Sequence, residues 1–170
     1  MNIIVRQSFW SSIVIYMGVV LGFVNSIILF PEFLSTEQIG IVRQLISAAT
    51  LLIPITTFGV NASYVKFYPN FVDDKSQKNQ FFIYELTVIL LSYCVVFAFL
   101  NLFYEDIRGL FTEKSRILFN YFDVFLLILF CLSISTLFES FLRARYDTVI
   151  TNIVNGVSNR ILTALTLILF

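Results

Sequence analysis

The sequence predicts an all-α fold, a polytopic transmembrane bundle of about five helices forming one domain over residues 1–170. Hydrophobic residues make up 58% of the chain and charged residues 13%, against roughly 45–50% and about 25% in soluble domains. The apolar residues come in five blocks of about 20, the length of helix that crosses a bilayer. Most of the charges lie in short stretches between those blocks, as expected of a chain whose solvent is hydrocarbon.

The blocks are Phe9–Phe30, Ile39–Phe58, Phe81–Phe103, Ile117–Phe138 and Val149–Phe170. Met1 to Gln7 resembles the basic region of a signal peptide, but the apolar stretch after it is too long and lacks a small-residue cleavage site. The first block is therefore a span. Pro31 has no N–H and closes it, and Ser35-Thr36-Glu37-Gln38 is a capping-box pattern that opens the second. Pro54 cannot donate to the carbonyl of Thr50, which predicts a kink, with Thr50, Thr56 and Thr57 placed to satisfy the freed backbone. Gly59 and Asn61 weaken the helix, Tyr68-Pro69 ends it, and the run from Asp73 to Asn79 reads as a solvent loop. The fifth block carries several polar residues and stops where the chain stops, so it is a complete last helix or one cut near its end.

Cytoplasmic flanks accumulate Lys and Arg. With the N-terminus in the cytoplasm, the inner side holds Arg6, Lys66, Lys75, Lys78, Arg143 and Arg145, and the outer side Arg43, Arg108, Lys114 and Arg116. The loop after the first span carries only the acidic Glu32 and Glu37, which agrees with that orientation.

Eleven basic residues balance eleven acidic ones, so no global field draws nucleic acid to the chain. Histidine is absent, which removes the commonest base and metal ligand. Cys94 and Cys131 lie inside apolar blocks without metal-like spacing and read as small hydrophobes packed on lipid or protein. No catalytic residue, metal or cofactor is expected, and the chain is not expected to be an enzyme.

The informative residues are the polar ones inside the spans. Gly18 and Gly22 form a small-xxx-small pair, with Ser11 and Asn25 near the same helical face; either that face packs on a neighbour or Asn25 meets an aqueous cavity. Arg43 and Gln44 lie one turn inside the second span, where Arg43 either snorkels to head groups or faces the interior and an anionic group. Glu85 and Asp123 sit about one turn inside opposite ends of their spans. Both are candidates for ion or proton coupling, with wetting by the interface or an ion pair as the alternative. They are too far apart to form a paired acid and base. In the fifth block Asn152, Asn155, Gly156, Asn159, Thr163 and Thr166 draw one polar stripe, with Arg160 beside it. An arginine near mid-membrane costs about 2.5–3.5 kcal/mol even on the mild insertion scale. Arg160 therefore pairs with a helix C-terminus or a carboxylate, serves an anionic cargo, or lies at the inner interface with the helix entering lipid only after Asn159.

The segment from Leu29 to Leu45, then Phe58 to Phe71, resembles the first hairpin and following loop of bacterial polysaccharide exporters. These are the O-antigen-type flippases of the multidrug/oligosaccharidyl-lipid/polysaccharide exporter superfamily. Phe138 to Tyr146, followed by Arg160 in a polar helix, resembles that family's connection into its fifth helix. The resemblance covers essentially the whole chain and rests on the order and spacing of these stretches. It implies the N-terminal portion of a transporter of a dozen or more helices, with a fold like that of the multidrug exporters, so that five helices read as a fragment or as a remnant that needs a partner. It further implies a bacterial inner-membrane protein that moves a polyprenyl-pyrophosphate-linked oligosaccharide outward for O-antigen, capsule or exopolysaccharide, alongside polymerase and glycosyltransferase machinery. On that reading Asn25, Arg43, Gln44, Asn152, Asn155, Asn159, Arg160 and Thr163 line the substrate path. The rival readings are a cation-coupled multidrug exporter of the same superfamily and a membrane scaffold without transport.

Overall fold

In hydrocarbon a spanning segment must satisfy its backbone internally, which favours helices. The computed structural model describes residues 3–68, 75–110, 118–145 and 148–169, and all regular structure among them is helical. Four helices are long and apolar enough to cross a membrane: Val5–Phe33, Thr36–Thr57, Ser76–Leu102 and Leu118–Ala144. Even the most enclosed has only 33% of its most apolar stretch buried, so large side chains such as Tyr16, Leu51 and Leu102 face outward, as lipid requires. The fifth block is helical as well, but its asparagines and Arg160 dilute its apolar character and it is not among the four. The chain is an all-α, multi-pass membrane protein. It divides into two compact units, one of Met1–Gly40 with Arg145–Phe170 and one of Ile41–Ala144.

In the first unit α1 (Ile3–Phe23) runs through a π-helical stretch, π1 (Val24–Leu29), into α2 (Phe30–Phe33). The expectation that Pro31 stops the helix is corrected: the chain stays helical to Phe33 and turns extended only at Leu34. The wider π turn directly before Pro31 relieves the clash that its ring would make with a preceding carbonyl in a regular α-helix. Ser35 and Gln38 form the expected capping box: the Ser35 N–H donates to Gln38 Oε1 at 2.8 Å and the Gln38 N–H to Ser35 Oγ at 3.3 Å. This opens α3 (Thr36–Thr57). At the other end of the sequence, α8 (Thr148–Asn152), π2 (Ile153–Ser158) and α9 (Asn159–Leu169) make one helical run that packs along α1.

The second unit contains the rest of α3, α4 (Val60–Phe67), α5 (Lys75–Leu102), α6 (Tyr104–Leu110) and α7 (Phe122–Ala144). Near Pro54 the hydroxyls do not go to the Thr50 carbonyl. Thr56 donates to Ile53 O at 3.1 Å, Thr57 to Ile53 O at 2.9 Å and Thr50 to Ile46 O at 2.7 Å. Helix α3 breaks at Phe58 and Gly59, both left-handed at φ of 46° and 80°. Glycine accepts that conformation freely, whereas for Phe58 it is strained by about 1–3 kcal/mol.

Beyond this break the chain is not a loop. Helix α4 buries Val60 and Tyr64, and Tyr68 follows them into a core with Ile89, Leu137 and Ala144. Rings hold this core: Tyr64 stacks on Tyr68 at 5.3 Å between centroids and meets Phe81 at 5.2 Å. Of the expected solvent loop, Lys75 to Asn79 is the helical start of α5, where terminal N–H groups can be left to water; Asp73 and Asp74 lie outside the described residues. A second core joins Ala49, Val96 and Leu129, and the Tyr93 hydroxyl donates to Leu126 O at 3.0 Å. Phe82 meets Phe138 while Tyr93 meets Phe130, so α5 and α7 run antiparallel.

Candidate functional site

The site in the first unit is a seam between α1 and the run from α8 to α9. Gly18 sits against Gly156 so closely that a Cβ on it would lie 2.9 Å from the Gly156 carbonyl oxygen. One turn on, a Cβ on Gly22 would lie 2.6 Å from Cζ of Arg160. The missing side chains of Gly18 and Gly22 thus let a backbone and then a guanidinium lie on α1, which is how small-xxx-small spacing brings helices together. Another turn along, the Asn25 carboxamide donates to the Arg160 carbonyl at 2.8 Å, and Asn25 is only 6% exposed.

Residue numbers rise together across this seam, so the two helical runs are parallel. Val5–Phe33 has its midpoint at residue 19, and Gly22 lies three residues, about 4.5 Å, beyond it. Arg160, lying on Gly22, shares that depth.

Val19, Gly22, Asn25, Ser26, Phe30, Arg160 and Thr163 line a cavity of about 400 Å³. Arg160 Nη1 is buried without a hydrogen-bond partner among the described residues, as is Ser11 Oγ. No ion pair among the described residues involves Arg160. The Thr163 hydroxyl donates to the Asn159 carbonyl at 2.8 Å, which leaves its oxygen able to accept. Chemically the cavity offers donors, from Arg160 above all, to an acceptor-rich or anionic group.

The polar stripe does not turn inward as a unit. Gly156 and Arg160 meet α1 and Thr163 lines the cavity, while Asn159 and Thr166 are exposed and Asn152 is half-buried; the side chain of Asn155 lies outside the described residues. The π turn over Ile153–Ser158 shifts the helical phase between Asn152 and Asn159, so a uniform 3.6-residue period misplaces the face. Ser26 and Phe30 escape sequence reading. They lie four and eight residues after Gly22 and share its face, but neither residue type is unusual in a span.

The remaining candidates belong to the second unit. Arg43 is exposed on α3, and Gln44 borders an apolar cavity of about 260 Å³. Glu85 is 2% exposed and accepts a hydrogen bond from Ser63 Oγ at 2.7 Å. Asp123 is exposed and lines a cavity of about 380 Å³ with Asn101, Tyr104 and Asn120. Since Asp123 lies at the Asn101 end of α5, sixteen residues from Glu85, about 24 Å of helix separates the two carboxylates. Lys114 and Arg116 lie outside the described residues. Sequence reading also missed the polar contacts between helices: the Thr56 and Ser133 hydroxyls 2.7 Å apart, and Ser140 donating to Asn61 Oδ1 at 2.9 Å. No periodicity signals such pairs, because their members lie 77 and 79 residues apart.

Comparison with curated proteins and with solved structures finds no match. Comparison with protein families finds one that spans residues 4–170, and so contains both helical runs of the seam and the whole second unit. The chain belongs to the polysaccharide biosynthesis protein family.

Proposed function

We propose that this chain moves lipid-linked oligosaccharide units across the bacterial inner membrane, as a transporter rather than an enzyme, with its N-terminus in the cytoplasm. The observation that carries this reading is the Arg160 guanidinium. It lies beside the mid-span Gly22, in a cavity with Asn25, Ser26 and Thr163, with Nη1 buried and unpartnered among the described residues. An unpaired cation at that depth is kept at a stability penalty, which an anionic ligand offsets on binding. The pyrophosphate of a polyprenyl-linked saccharide is such a ligand. Its sugars need the hydrogen-bonding surface of the cavity, because hydroxyls crossing bare hydrocarbon would lose their partners. The outward apolar faces of the helices leave the prenyl chain in lipid.

Family membership supports a role in polysaccharide biosynthesis; the pyrophosphate-linked cargo, and co-operation with glycosyltransferases and a polymerase, are our extension of it. The parallel course of α1 and α9, with three membrane-length helices between them in sequence, supports five alternating crossings. The test is export of labelled lipid-linked oligosaccharide in cells depending on this protein. Arg160→Ala should reduce export at least tenfold with normal membrane levels, and Arg160→Lys should restore part of it. Full export by Arg160→Ala would remove the guanidinium from the mechanism.

A further inference from the structure

The second unit holds two adjoining cavities of opposite character. One, of about 260 Å³, is walled by apolar side chains including Leu45, Ala48, Leu52, Leu100 and Phe125. The other, of about 380 Å³, is lined by Asn101, Tyr104, Asn120 and Asp123. Phe119 and Phe122 belong to both walls. Their rings are parallel within 7°, and Tyr104 stands edge-on to each, at 5.5 and 4.9 Å between centroids.

The polar half is open for ligand. Asn120 and Asp123 have no partner among the described residues. The Asn101 amide donates to the Phe97 carbonyl at 2.8 Å, which leaves its Oδ1 to accept. The Tyr104 hydroxyl makes a long bond to the Phe119 carbonyl at 3.4 Å. Aromatic residues alone would be ordinary at a membrane interface. Two amides and a carboxylate lining one cavity beside them, next to a largely apolar one, suit a ligand with two natures.

We infer that this is a binding site for an uncharged glycolipid, with a sugar head group among Asn101, Asn120, Asp123 and Tyr104 and the start of an alkyl chain in the adjoining apolar cavity. Sugar hydroxyls donate to the Asp123 carboxylate and to Asn101 Oδ1 and accept from the Asn120 amide, so one ring uses both kinds of group. The C–H face of a sugar packs on aromatic rings, which carry a negative face. No lysine or arginine among the described residues lines either cavity, so none of them compensates the charge that a phosphate head group would set against Asp123. The site is thus distinct in chemistry from the Arg160 cavity, and the inference goes beyond the proposed function without depending on it.

The test is retention of dodecyl glucoside by the full chain, purified in an amine-oxide detergent and followed by native mass spectrometry. Dodecyl phosphate and a phosphatidylethanolamine serve as competitors. The Arg160→Ala chain, used here to remove the anion-binding guanidinium of the first unit, should retain the glucoside at least tenfold better than dodecyl phosphate. In that background Asp123→Ala and Asn120→Ala should each weaken glucoside retention about tenfold, the effect of losing one hydrogen bond to a charged or well-placed group. The isosteric Asp123→Asn guards against misfolding and should narrow the preference over dodecyl phosphate. Glucoside retention indifferent to Asp123 and Asn120 overturns the inference. So does equal retention of dodecyl phosphate, or displacement by the phosphatidylethanolamine at matched concentration, which would mark a cation-headed lipid site; none of these outcomes touches the export reading.

Discussion

The second unit pairs polar side chains between its helices: Thr56 with Ser133, Asn61 with Ser140, and Glu85 with Ser63. The seam of the first unit leaves Arg160 Nη1 and Ser11 Oγ buried without partners among the described residues. Both regions are helical, so secondary structure does not account for the difference. Matched pairs hold helices in register, and each is worth only about 0.6 kcal/mol on average within a membrane. An unmatched guanidinium weakens the fold, and persists where a ligand supplies the missing partner. On this comparison the aromatic core of the second unit acts as scaffold, and the seam of the first unit holds unmatched buried polar atoms.

The largest expected effect tests the scaffold. Tyr64 is fully buried among Tyr68, Phe81 and Phe141, and Tyr64→Ala should destabilise the protein by about 3–5 kcal/mol, read by reversible unfolding in mixed micelles. Next, Arg160→Leu should raise stability in the same assay, by up to about 2.5–3.5 kcal/mol, while export is lost; a loss of stability would mean that the guanidinium is a structural tie after all. Gly18→Leu forces a side chain against the Gly156 backbone and should destabilise by about 1–3 kcal/mol, whereas Gly40→Leu, with nothing within 4 Å of its Cβ position, should be far milder. The smallest effect is the coupling between Thr56 and Ser133. A double-mutant cycle of Thr56→Val and Ser133→Ala should give about 0.6 kcal/mol, and zero coupling would remove the pair from the scaffold.

Much of the fold was legible in the residues. Apolar block length marks the four membrane-length helices, with ends one to six residues off, because hydrocarbon thickness sets a minimum run. The Ser35–Gln38 cap was equally plain, since its chemistry spans one turn. Helix α4 was not: Gly59 and Asn61 read locally as breakers, yet Val60, Tyr64 and Tyr68 find an aromatic core that outweighs that weakness. Pro31 misled for a related reason, as its local penalty is absorbed by the π turn before it. In the seam, the Gly18, Gly22 and Asn25 face was visible at helical spacing. Which residues of the fifth block meet it was not, because π2 breaks the period on which that reading relied.

The sequence by itself determined that the chain lives in lipid as helices and roughly where the long helices run. These follow from local terms, namely transfer of side chains to hydrocarbon and satisfaction of the backbone within each segment. Only the tertiary structure decided that Gly22 is the bed of the Arg160 guanidinium, that Asn25 holds the Arg160 carbonyl, and that Asn101, Asn120 and Asp123 share one cavity. Those pairings join residues up to 138 positions apart, between Gly22 and Arg160. They depend on helix phase and close approach, which no run of neighbouring residues records.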